Sequence, residues 1–282
     1  MIGKFFSLNG KLLPLKKAVI SIDNIEFSYG FGVYENLKVR NRFIYFPEMH
    51  CERMLYSAKI IGLKTSLSAE QIHNNIKNFV NSVKEDSFNI KMMLIGKKER
   101  QTESSDLYIF ANAPLYLPKK AYSKGVKVIT YHGERQLQQA KTLNMLMSYL
   151  AYSKARAENA HDALLVDKEG NIREGTRTNF FFTDGKNIYT TAENKVLNGV
   201  TRITLIDALS KNGIQVMEKN ISLKEIDNYK GFFLTSTSAK VLPISKIDSK
   251  EIAIPEIVRN IARVYDEYLD GYRNKSEFSS AL

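Results

Sequence analysis

Residues 197–217 read LNGVTRITLIDALSKNGIQVM, and this stretch indicates a loop, a helix and a strand in succession. The apolar residues recur at helical spacing, at Ile203, Leu205, Ile206 and Leu209. We predict that Thr201 caps this helix and that Asn212-Gly213 ends it before a strand over 214–217. Free backbone N–H groups beside a threonine hydroxyl can bind an anion such as phosphate, although a threonine at a helix start is more often only a cap.

Helices and strands are also predicted on both sides of this stretch, which indicates a mixed α/β (α+β) fold. The capping-box sequence Ser68-Ala-Glu-Gln71 precedes a predicted helix over 69–84, and Pro47 begins an earlier helix that Gly62 closes. In the first half, strands are predicted around an Asn9-Gly10 turn and over 33–39, 43–46, 90–95 and 107–111. In the second half, strands are predicted over 126–130, 162–167, 179–183 and 232–234, a helix over 143–158, and a short helix after the capping box Ser222-Leu-Lys-Glu225.

Two prolines in the stretch Asn112-Ala-Pro-Leu-Tyr-Leu-Pro-Lys-Lys120 mark the best candidate for a linker. We therefore predict a small N-terminal α/β domain over 1–112, an interdomain linker over 113–125 and a larger C-terminal domain over 126–282. The polar end of the chain, 270–282, is expected to be frayed.

Composition and charge exclude several classes of protein. The 282 residues are 44% hydrophobic, and no apolar run approaches the roughly 20 residues that cross a membrane. The N-terminus lacks the order of regions in a signal peptide, so we expect a soluble, cytoplasmic protein. A lone Cys51 and four scattered histidines predict no disulfide and no metal site. The net charge of +11 is spread along the chain, which favours a solvated basic surface over a nucleic-acid partner.

Lys141 and Glu174 are the residues that could carry covalent chemistry. Lys141 precedes the predicted apolar helix over 143–158 and could therefore be buried, which favours the neutral amine that reacts with a carbonyl. Taken alone, Lys141 is one lysine among many, and Glu174 lies in an ordinary turn.

Six short motifs occur in a fixed order, and together they favour a chemical role for Lys141 and Glu174. They are Gly30-Phe-Gly-Val-Tyr-Glu35, His50-Cys-Glu-Arg53, Lys141-Thr-Leu-Asn144, Glu174-Gly-Thr-Arg-Thr-Asn-Phe180, Leu197-Asn-Gly-Val-Thr-Arg202 and Thr235-Ser-Thr-Ser238. With them, residues 3–248 resemble the class IV (fold-type IV) pyridoxal-phosphate enzymes, which are branched-chain aminotransferases, D-amino-acid aminotransferases and aminodeoxychorismate lyases. The resemblance implies a two-domain fold with a barrel-like sheet in a C-terminal cofactor-binding domain, and a homodimer.

The resemblance also implies a role for each motif. Lys141 corresponds to the lysine that forms the Schiff base with pyridoxal 5'-phosphate, and Glu174 to the carboxylate that pairs with its pyridine nitrogen. The other implied cofactor contacts are Arg53, Val200, Thr201 and Thr237 at the phosphate, Leu197 on the ring face, and Asn179. The candidates for substrate contacts are Tyr34, Lys91, Arg177 and Ser238. Arg177 could pair equally with a substrate carboxylate or with a surface acid.

Departures from the family pattern leave the substrate open. The stretch Gly96-Lys-Lys-Glu-Arg-Gln101 lacks the Arg-x-His pair of D-amino-acid aminotransferases, and Lys91 stands where branched-chain enzymes carry an arginine. The short motif Lys141-Thr-Leu-Asn144 favours the D-amino-acid or lyase branch. Tyr34-Glu35, however, resembles the aromatic-Glu pair of transaminases, because lyases carry threonines after the aromatic residue.

Three classes of function follow from these patterns. The leading prediction is a transaminase that moves an amino group from an amino acid, with the branched-chain type favoured, to a 2-oxo acid such as 2-oxoglutarate. A D-amino-acid transaminase is an alternative within this first class. The second class is a 4-amino-4-deoxychorismate lyase giving 4-aminobenzoate and pyruvate. The third class is a basic binding protein without enzymatic activity.

Overall fold

The computed structural model describes residues 1–99 and 102–279, and the chain divides into two compact units. Unit 1 comprises Met1–Leu115 and Ala140–Met145, and unit 2 comprises Tyr116–Gln139 and the chain from Leu146 onward. The chain thus leaves unit 1 inside the predicted linker, 113–125, and returns to it once. The return at Ala140–Met145 was not predicted from the sequence.

A six-stranded antiparallel sheet forms the centre of unit 1. Its strands are β1 (Ile2–Leu8), β2 (Lys11–Pro14), β3 (Gly32–Arg40), β4 (Phe43–Ile44), β5 (Phe88–Glu99) and β6 (Thr102–Asn112), in the order β2-β1-β6-β5-β3-β4. Its helices are α1 (Ile25–Ser28), α2 (Pro47–Ile60) and α3 (Ala69–Ser82), with a short 3-10 helix at Leu15–Lys17.

Local sequence signals place α2 and α3 as predicted. The Ser68 hydroxyl accepts a hydrogen bond from the backbone N–H of Gln71, and the Gln71 side chain accepts one from the N–H of Ser68, which completes the capping box. Pro47 begins α2, and Gly62 follows its end with a positive φ of 73°. The buried faces of both helices join the sheet in one apolar core, which includes Met54, Ala58, Ile72, Ile76 and Phe79.

Unit 2 contains a ten-stranded sheet, part of which closes on itself. Its strands are β7 (Val126–His132), β8 (Asp162–Val166), β9 (Asn171–Gly175), β10 (Asn179–Thr183), β11 (Ile188–Thr190), β12 (Val216–Glu218), β13 (Ile221–Ser222), β14 (Gly231–Ser236), β15 (Lys240–Ile247) and β16 (Lys250–Glu251). Pairing runs β10-β14-β15-β7-β8-β9, and Asn179 then pairs with Glu174 between β10 and β9. The six strands therefore form a closed, barrel-like ring, which confirms the predicted fold class.

The barrel interior is filled by aromatic and aliphatic side chains from alternate strand positions. Phe180 and Phe232 stack across β10 and β14 with ring centroids 5.8 Å apart, and Leu234 and Ile244 belong to the same core. The helices of unit 2 are α4 (Lys119–Lys124), α5 (Leu146–Ala157), α6 (Val200–Lys211) and α7 (Glu256–Ser279), with 3-10 helices at Glu193–Lys195 and Leu223–Asn228. The second of these follows the predicted capping box of Ser222 and Glu225.

Several local predictions are wrong. Helix α5 begins at Leu146 rather than at residue 143, because the preceding residues are extended and pair with β3. Gly199, not Thr201, is the N-cap of α6, and the strand predicted over 214–217 lies at Val216–Glu218.

The C-terminal part of the chain also differs from the prediction. Helix α7 was not predicted, and it includes residues 270–279, which we expected to be frayed. Residues 280–282 lie outside the described part of the chain. No helix of the described residues is both long enough and apolar enough to span a membrane.

Candidate active site

Lys141 lies in unit 1, on an extended segment held by backbone hydrogen bonds. The N–H of Tyr34 in β3 donates to the carbonyl of Lys141 at 2.9 Å, and Thr142 forms an isolated bridge with Val33. The N–H of Lys141 donates to the hydroxyl of the buried Ser57 in α2, at 3.1 Å. Lys141 is therefore fixed by a strand on one side and a helix on the other.

Tyr34 brings two of the predicted site lysines together. The Nζ of Lys141 lies 4.7 Å from the centroid of the Tyr34 ring, and the Nζ of Lys91 lies 5.5 Å from it. The Tyr34 hydroxyl donates to the sulfur of Met145 at 3.6 Å. Tyr34 is buried, and its ring forms cation–π contacts with both amines.

The reason we gave for burial of Lys141 is wrong, although the residue itself is half-buried. We expected the neighbouring helix to turn its apolar residues inward. Instead α5 exposes Leu146, Tyr149 and Leu150 to solvent. The environment of Lys141 comes from β3 and α2.

A buried ion network surrounds Arg53, the predicted phosphate contact in unit 1. Nε and Nη2 of Arg53 each donate to one oxygen of Glu35 at 2.7 Å, and Nδ1 of His50 donates to the same carboxylate at 2.8 Å. Glu35 is fully buried, and this desolvation opposes its ionised form. The charge of Arg53 and the hydrogen bonds outweigh it and hold the pKa of Glu35 well below its usual value.

The contacts among Glu35, His50 and Arg53 were not predicted, although all three residues belong to the motifs that resemble the family. Burial lowers the pKa of His50, against the opposing effect of Glu35, so the imidazole is a neutral donor. The spacing of His50 and Arg53 could have predicted the network, because residues three apart on a helix share one face. A single buried carboxylate on the adjacent strand can bind both.

In unit 2 the predicted cofactor residues begin with a row across three strands. Asn179 in β10 pairs with Glu174 in β9 and with Thr235 in β14. Directly paired residues share a face of the sheet, so the three side chains lie side by side. The next pair along, Phe180 and Leu234, points to the barrel core. The row therefore occupies the outer face of the barrel.

Glu174 presents a buried carboxylate in this row. It is 5% exposed, it accepts a hydrogen bond from the N–H of Leu197 at 3.3 Å, and it lies 3.5 Å from Nη1 of Arg135. Arg135 was not predicted, because nothing in its local sequence distinguishes it. A buried carboxylate with donors on its oxygens suits an additional N⁺–H partner such as a protonated pyridine.

The first turn of α6 has backbone N–H groups that could bind an anion. Among the described residues no side chain caps this helix, and its first intrahelical N–H bond is that of Ile203 to the carbonyl of Gly199. The N–H groups of Val200 and Thr201 precede that bond and have no acceptor within the helix. A Cβ at Gly199 would lie 2.1 Å from Oδ1 of Asn179, so a larger residue there would displace the Asn179 side chain.

The Asn179 amide also holds the loop before α6, because its Nδ2 donates to the carbonyl of Leu197 at 2.7 Å. The hydroxyl of Thr235 is buried and has no partner within the described chain. Thr237 and Ser238 lie in the turn between β14 and β15, with Ser238 exposed. Unit 2 thus gathers most of the predicted cofactor residues around Asn179.

Arg177 lies apart from the row and is exposed, with its guanidinium carbon 3.9 Å from the centroid of the Tyr152 ring. Of the stretch 96–101, Arg100 and Gln101 lie outside the described residues. Within the described ranges, no group of three histidine, cysteine or acidic residues is arranged to hold a metal ion.

Comparison with known proteins places this site in a family. Residues 32–247 match the family model described as amino-transferase class IV. The chain belongs to this family. The predicted class of enzyme, a pyridoxal-phosphate-dependent aminotransferase, is confirmed. Unit 2 fits that cofactor because it offers the Glu174 carboxylate, the N–H groups at the start of α6 and the Thr235 hydroxyl, which has no partner among the described residues.

The relatives of this class IV aminotransferase include two kinds of transaminase. It is 29% identical over 254 residues to a D-alanine aminotransferase of Bacillus licheniformis, covering 86% of this chain and 88% of that one. It is 30% identical over 261 residues to a probable branched-chain-amino-acid aminotransferase of Rickettsia felis, covering 86% of each.

Solved structures agree with the fold. The branched-chain aminotransferase of Thermoproteus uzoniensis with norvaline matches with a TM-score of 0.82 and 25% identity, over 93% of each chain. The branched-chain amino acid aminotransferase of Thermobaculum terrenum in its PLP form matches with a TM-score of 0.85 and 21% identity, over 95% of this chain and 94% of that one.

Proposed function

We propose that this protein moves the amino group of a branched-chain amino acid to a 2-oxo acid such as 2-oxoglutarate, with Lys141 as the lysine bound covalently to the cofactor. The observation that carries the proposal is the position of Lys141. Its amine rests 4.7 Å from the Tyr34 ring, on a segment whose backbone is bonded to β3 and α2. A reacting amine must be held in one place, and the hydrogen bonds of the Lys141 backbone to β3 and α2 support that role.

Bound pyridoxal phosphate would supply the electron sink for the reaction. Lys141 Nζ is the group that moves the proton at the substrate Cα. Glu174 would accept the pyridine N–H and keep that nitrogen protonated, and Leu197 would pack on the ring face. Asn179 holds the Leu197 carbonyl.

The phosphate would be bound at the start of α6. The N–H groups of Val200 and Thr201 lie at the positive end of this helix, where an anion is favoured, and the hydroxyls of Thr201 and Thr237 add donors. Arg53 is the remaining contact in the proposal, and its positive charge suits a dianionic phosphate.

The substrate would be bound by Tyr34, Lys91, Arg177 and Ser238. Lys91 is a point charge for the substrate carboxylate and shares the Tyr34 ring with Lys141, so a carboxylate at Lys91 would place the attached Cα near Lys141. Arg177 is exposed and available to a second carboxylate, as in a dicarboxylic 2-oxo acid.

Glu35 supports a transaminase over the lyase alternative. Lyases of this family carry threonines after the aromatic residue, whereas Glu35 is buried and forms the ion network with Arg53. D-alanine is the second candidate substrate, because the D-alanine aminotransferase of Bacillus licheniformis is among the relatives.

A homodimer is a further part of the proposal. The segment from residue 19 to residue 31 exposes several large apolar side chains in unit 1, among them Val19, Ile22, Ile25 and Tyr29 at 74%, 99%, 64% and 82%. A contiguous stretch of this kind suits burial against a second copy of the chain. The cytoplasmic location and the assignment of 126–282 as the cofactor-binding domain stay predictions.

The test is a first half-reaction without any acceptor. Full-length protein loaded with pyridoxal phosphate is mixed separately with L-valine, L-leucine, L-isoleucine and D-alanine, and the loss of the visible absorbance of the bound cofactor is followed. Conversion by the branched-chain amino acids supports the proposal. Conversion by D-alanine alone favours the second candidate, and 4-aminobenzoate formed from aminodeoxychorismate would establish the lyase.

A further inference from the structure

Two tyrosines of α7 form polar contacts with α6. Tyr265 is 3% exposed, and its phenol oxygen lies 2.9 Å from Oγ1 of Thr204. One turn further along, the hydroxyl of Tyr268 donates to Asp207 at 2.8 Å. The two rings stack with centroids 6.2 Å apart. Tyr265 meets the first part of α6, and Tyr268 meets its second half.

The direction of the hydrogen bond at Thr204 can be assigned. A threonine hydroxyl has one hydrogen, and that of Thr204 donates to the carbonyl of Val200 at 2.8 Å. Tyr265 must therefore donate to Thr204. The result is a relay of two hydrogen bonds that runs from α7 to the first turn of α6.

We propose that Tyr265 is a positioning residue for the cofactor phosphate, because this relay fixes the first turn of α6, whose N–H groups bind the phosphate in the proposed function. The inference rests on that function. The start of α6 is held at two points, at Leu197 by the hydrogen bond from the Asn179 side chain and at Val200 by the relay from Tyr265.

A second observation indicates a ligand at this end of α6. The buried hydroxyl of Thr235 has no partner among the described residues, and Thr235 is the cross-strand neighbour of Asn179. An unsatisfied buried hydroxyl is unfavourable unless a bound group completes it. Asn179 in turn lies against Gly199 at the helix start, where the phosphate would be bound in the proposed function.

Tyr265 keeps its donor hydrogen at all working pH values. Burial raises its pKa to about 12. The interaction of an anion with a helix falls off within the first turn, so a small displacement of Val200 and Thr201 weakens phosphate binding.

The experiment compares Tyr265→Phe with Tyr268→Phe in the full-length chain. Both variants keep the ring stack. Tyr265→Phe removes the phenol oxygen that contacts Thr204 and Thr201, whereas Tyr268→Phe removes the hydrogen bond to Asp207 and leaves the relay intact. Each protein, freed of cofactor, is titrated with pyridoxal phosphate and, as a matched ligand, with pyridoxal, which lacks the phosphate.

We expect Y265F to raise the Kd for pyridoxal phosphate about tenfold and to leave the Kd for pyridoxal within about twofold. Y268F should change neither. Equal affinities of Y265F and wild type for pyridoxal phosphate would overturn the inference, as would equal losses for both ligands, since that is the result of a merely structural role.

A second variant covers the case in which Y265F does not fold. Thr204→Val keeps the shape of the side chain and removes both hydrogen bonds of the relay, so it should show the same selective loss for pyridoxal phosphate. Unchanged affinity in T204V would again contradict the inference. If the wild-type chain binds no pyridoxal phosphate, it is the proposed function that fails, and the two failures are thereby distinguished.

Discussion

The guanidinium of Arg53 forms a two-pronged hydrogen bond with the carboxylate of Glu35, with both N–O distances at 2.7 Å and the carboxylate fully buried. A fork of this kind fixes the plane of the guanidinium as well as its position. Arg53 is the proposed charge partner of the cofactor phosphate. Glu35 therefore fixes the position and orientation of the positive charge that the phosphate would meet.

Removing the charge of Glu35 should therefore affect both stability and cofactor binding. We expect Glu35→Gln to lower the free energy of unfolding by about 3 kcal/mol, since it leaves Arg53 without its buried partner. The Kd for pyridoxal phosphate should rise as well. Glu52→Gln removes the same charge from the exposed face of α2 and should change neither quantity. Wild-type values in E35Q, measured by urea unfolding and cofactor titration, would contradict this account.

The ion pair of Glu35 with Arg53 also predicts how the free energy of unfolding depends on pH. The pKa of Glu35 in the folded protein lies below its usual value of 4.5, so its contribution is fully present above about pH 4.5 and is lost as the pH falls towards the folded pKa. The stability difference between wild type and E35Q should be constant from about pH 5 to about pH 7 and shrink below pH 4.5. A difference that does not vary with pH would show that the pKa of Glu35 is the same in the folded and unfolded states, which would contradict this account.

Ser57 should act on catalysis through the backbone of Lys141. Its hydroxyl accepts the N–H of Lys141 at 3.1 Å, so Ser57→Ala leaves that N–H unpaired and loosens the segment that carries the reacting amine. We expect kcat to fall about tenfold with a smaller change in KM. Ser82→Ala removes a hydroxyl that bonds only within α3 and serves as the control. Equal kcat values for the two variants would exclude this role of Ser57.

Local signals in the sequence were sufficient for most helix ends. The capping boxes at Ser68 and Ser222 and the glycines at Gly62 and Gly213 act on their own neighbours, so no knowledge of the fold is needed to interpret them. The run of apolar residues in 179–183 likewise placed β10. The motifs that resemble the family are also local, and for that reason they could be found in the sequence.

What could not be predicted depends on contacts between distant parts of the chain. Residues 143–145 were predicted to begin the helix, yet they are not helical, because Thr142 and Leu143 pair with β3 from more than about one hundred residues away. Gly199 is the N-cap of α6, and the space that a Cβ would need there is occupied by the side chain of Asn179, which comes from a distant strand. The partnership of Glu35 with Arg53 is likewise a tertiary contact.

The proposed dimer can be tested on its exposed apolar segment. Wild-type protein should have twice the chain mass of 32.2 kDa in light scattering at micromolar concentration. Ile22→Asp places a charge on a side chain that is 99% exposed in the single chain and should shift the mass towards the monomer. Leu115→Asp is the control, because Leu115 is exposed outside this segment. A monomeric wild type would refute the dimer.

The central claim is that Lys141 is the lysine that holds the cofactor, and one measurement tests it directly. Full-length protein loaded with pyridoxal phosphate is reduced with borohydride, which makes the bond between lysine and cofactor permanent, and the digested protein is mapped by mass spectrometry. We predict that the cofactor is found on the peptide containing Lys141, and that the Lys141→Ala variant retains none. A cofactor attached to another lysine, or retained by K141A, would contradict the account.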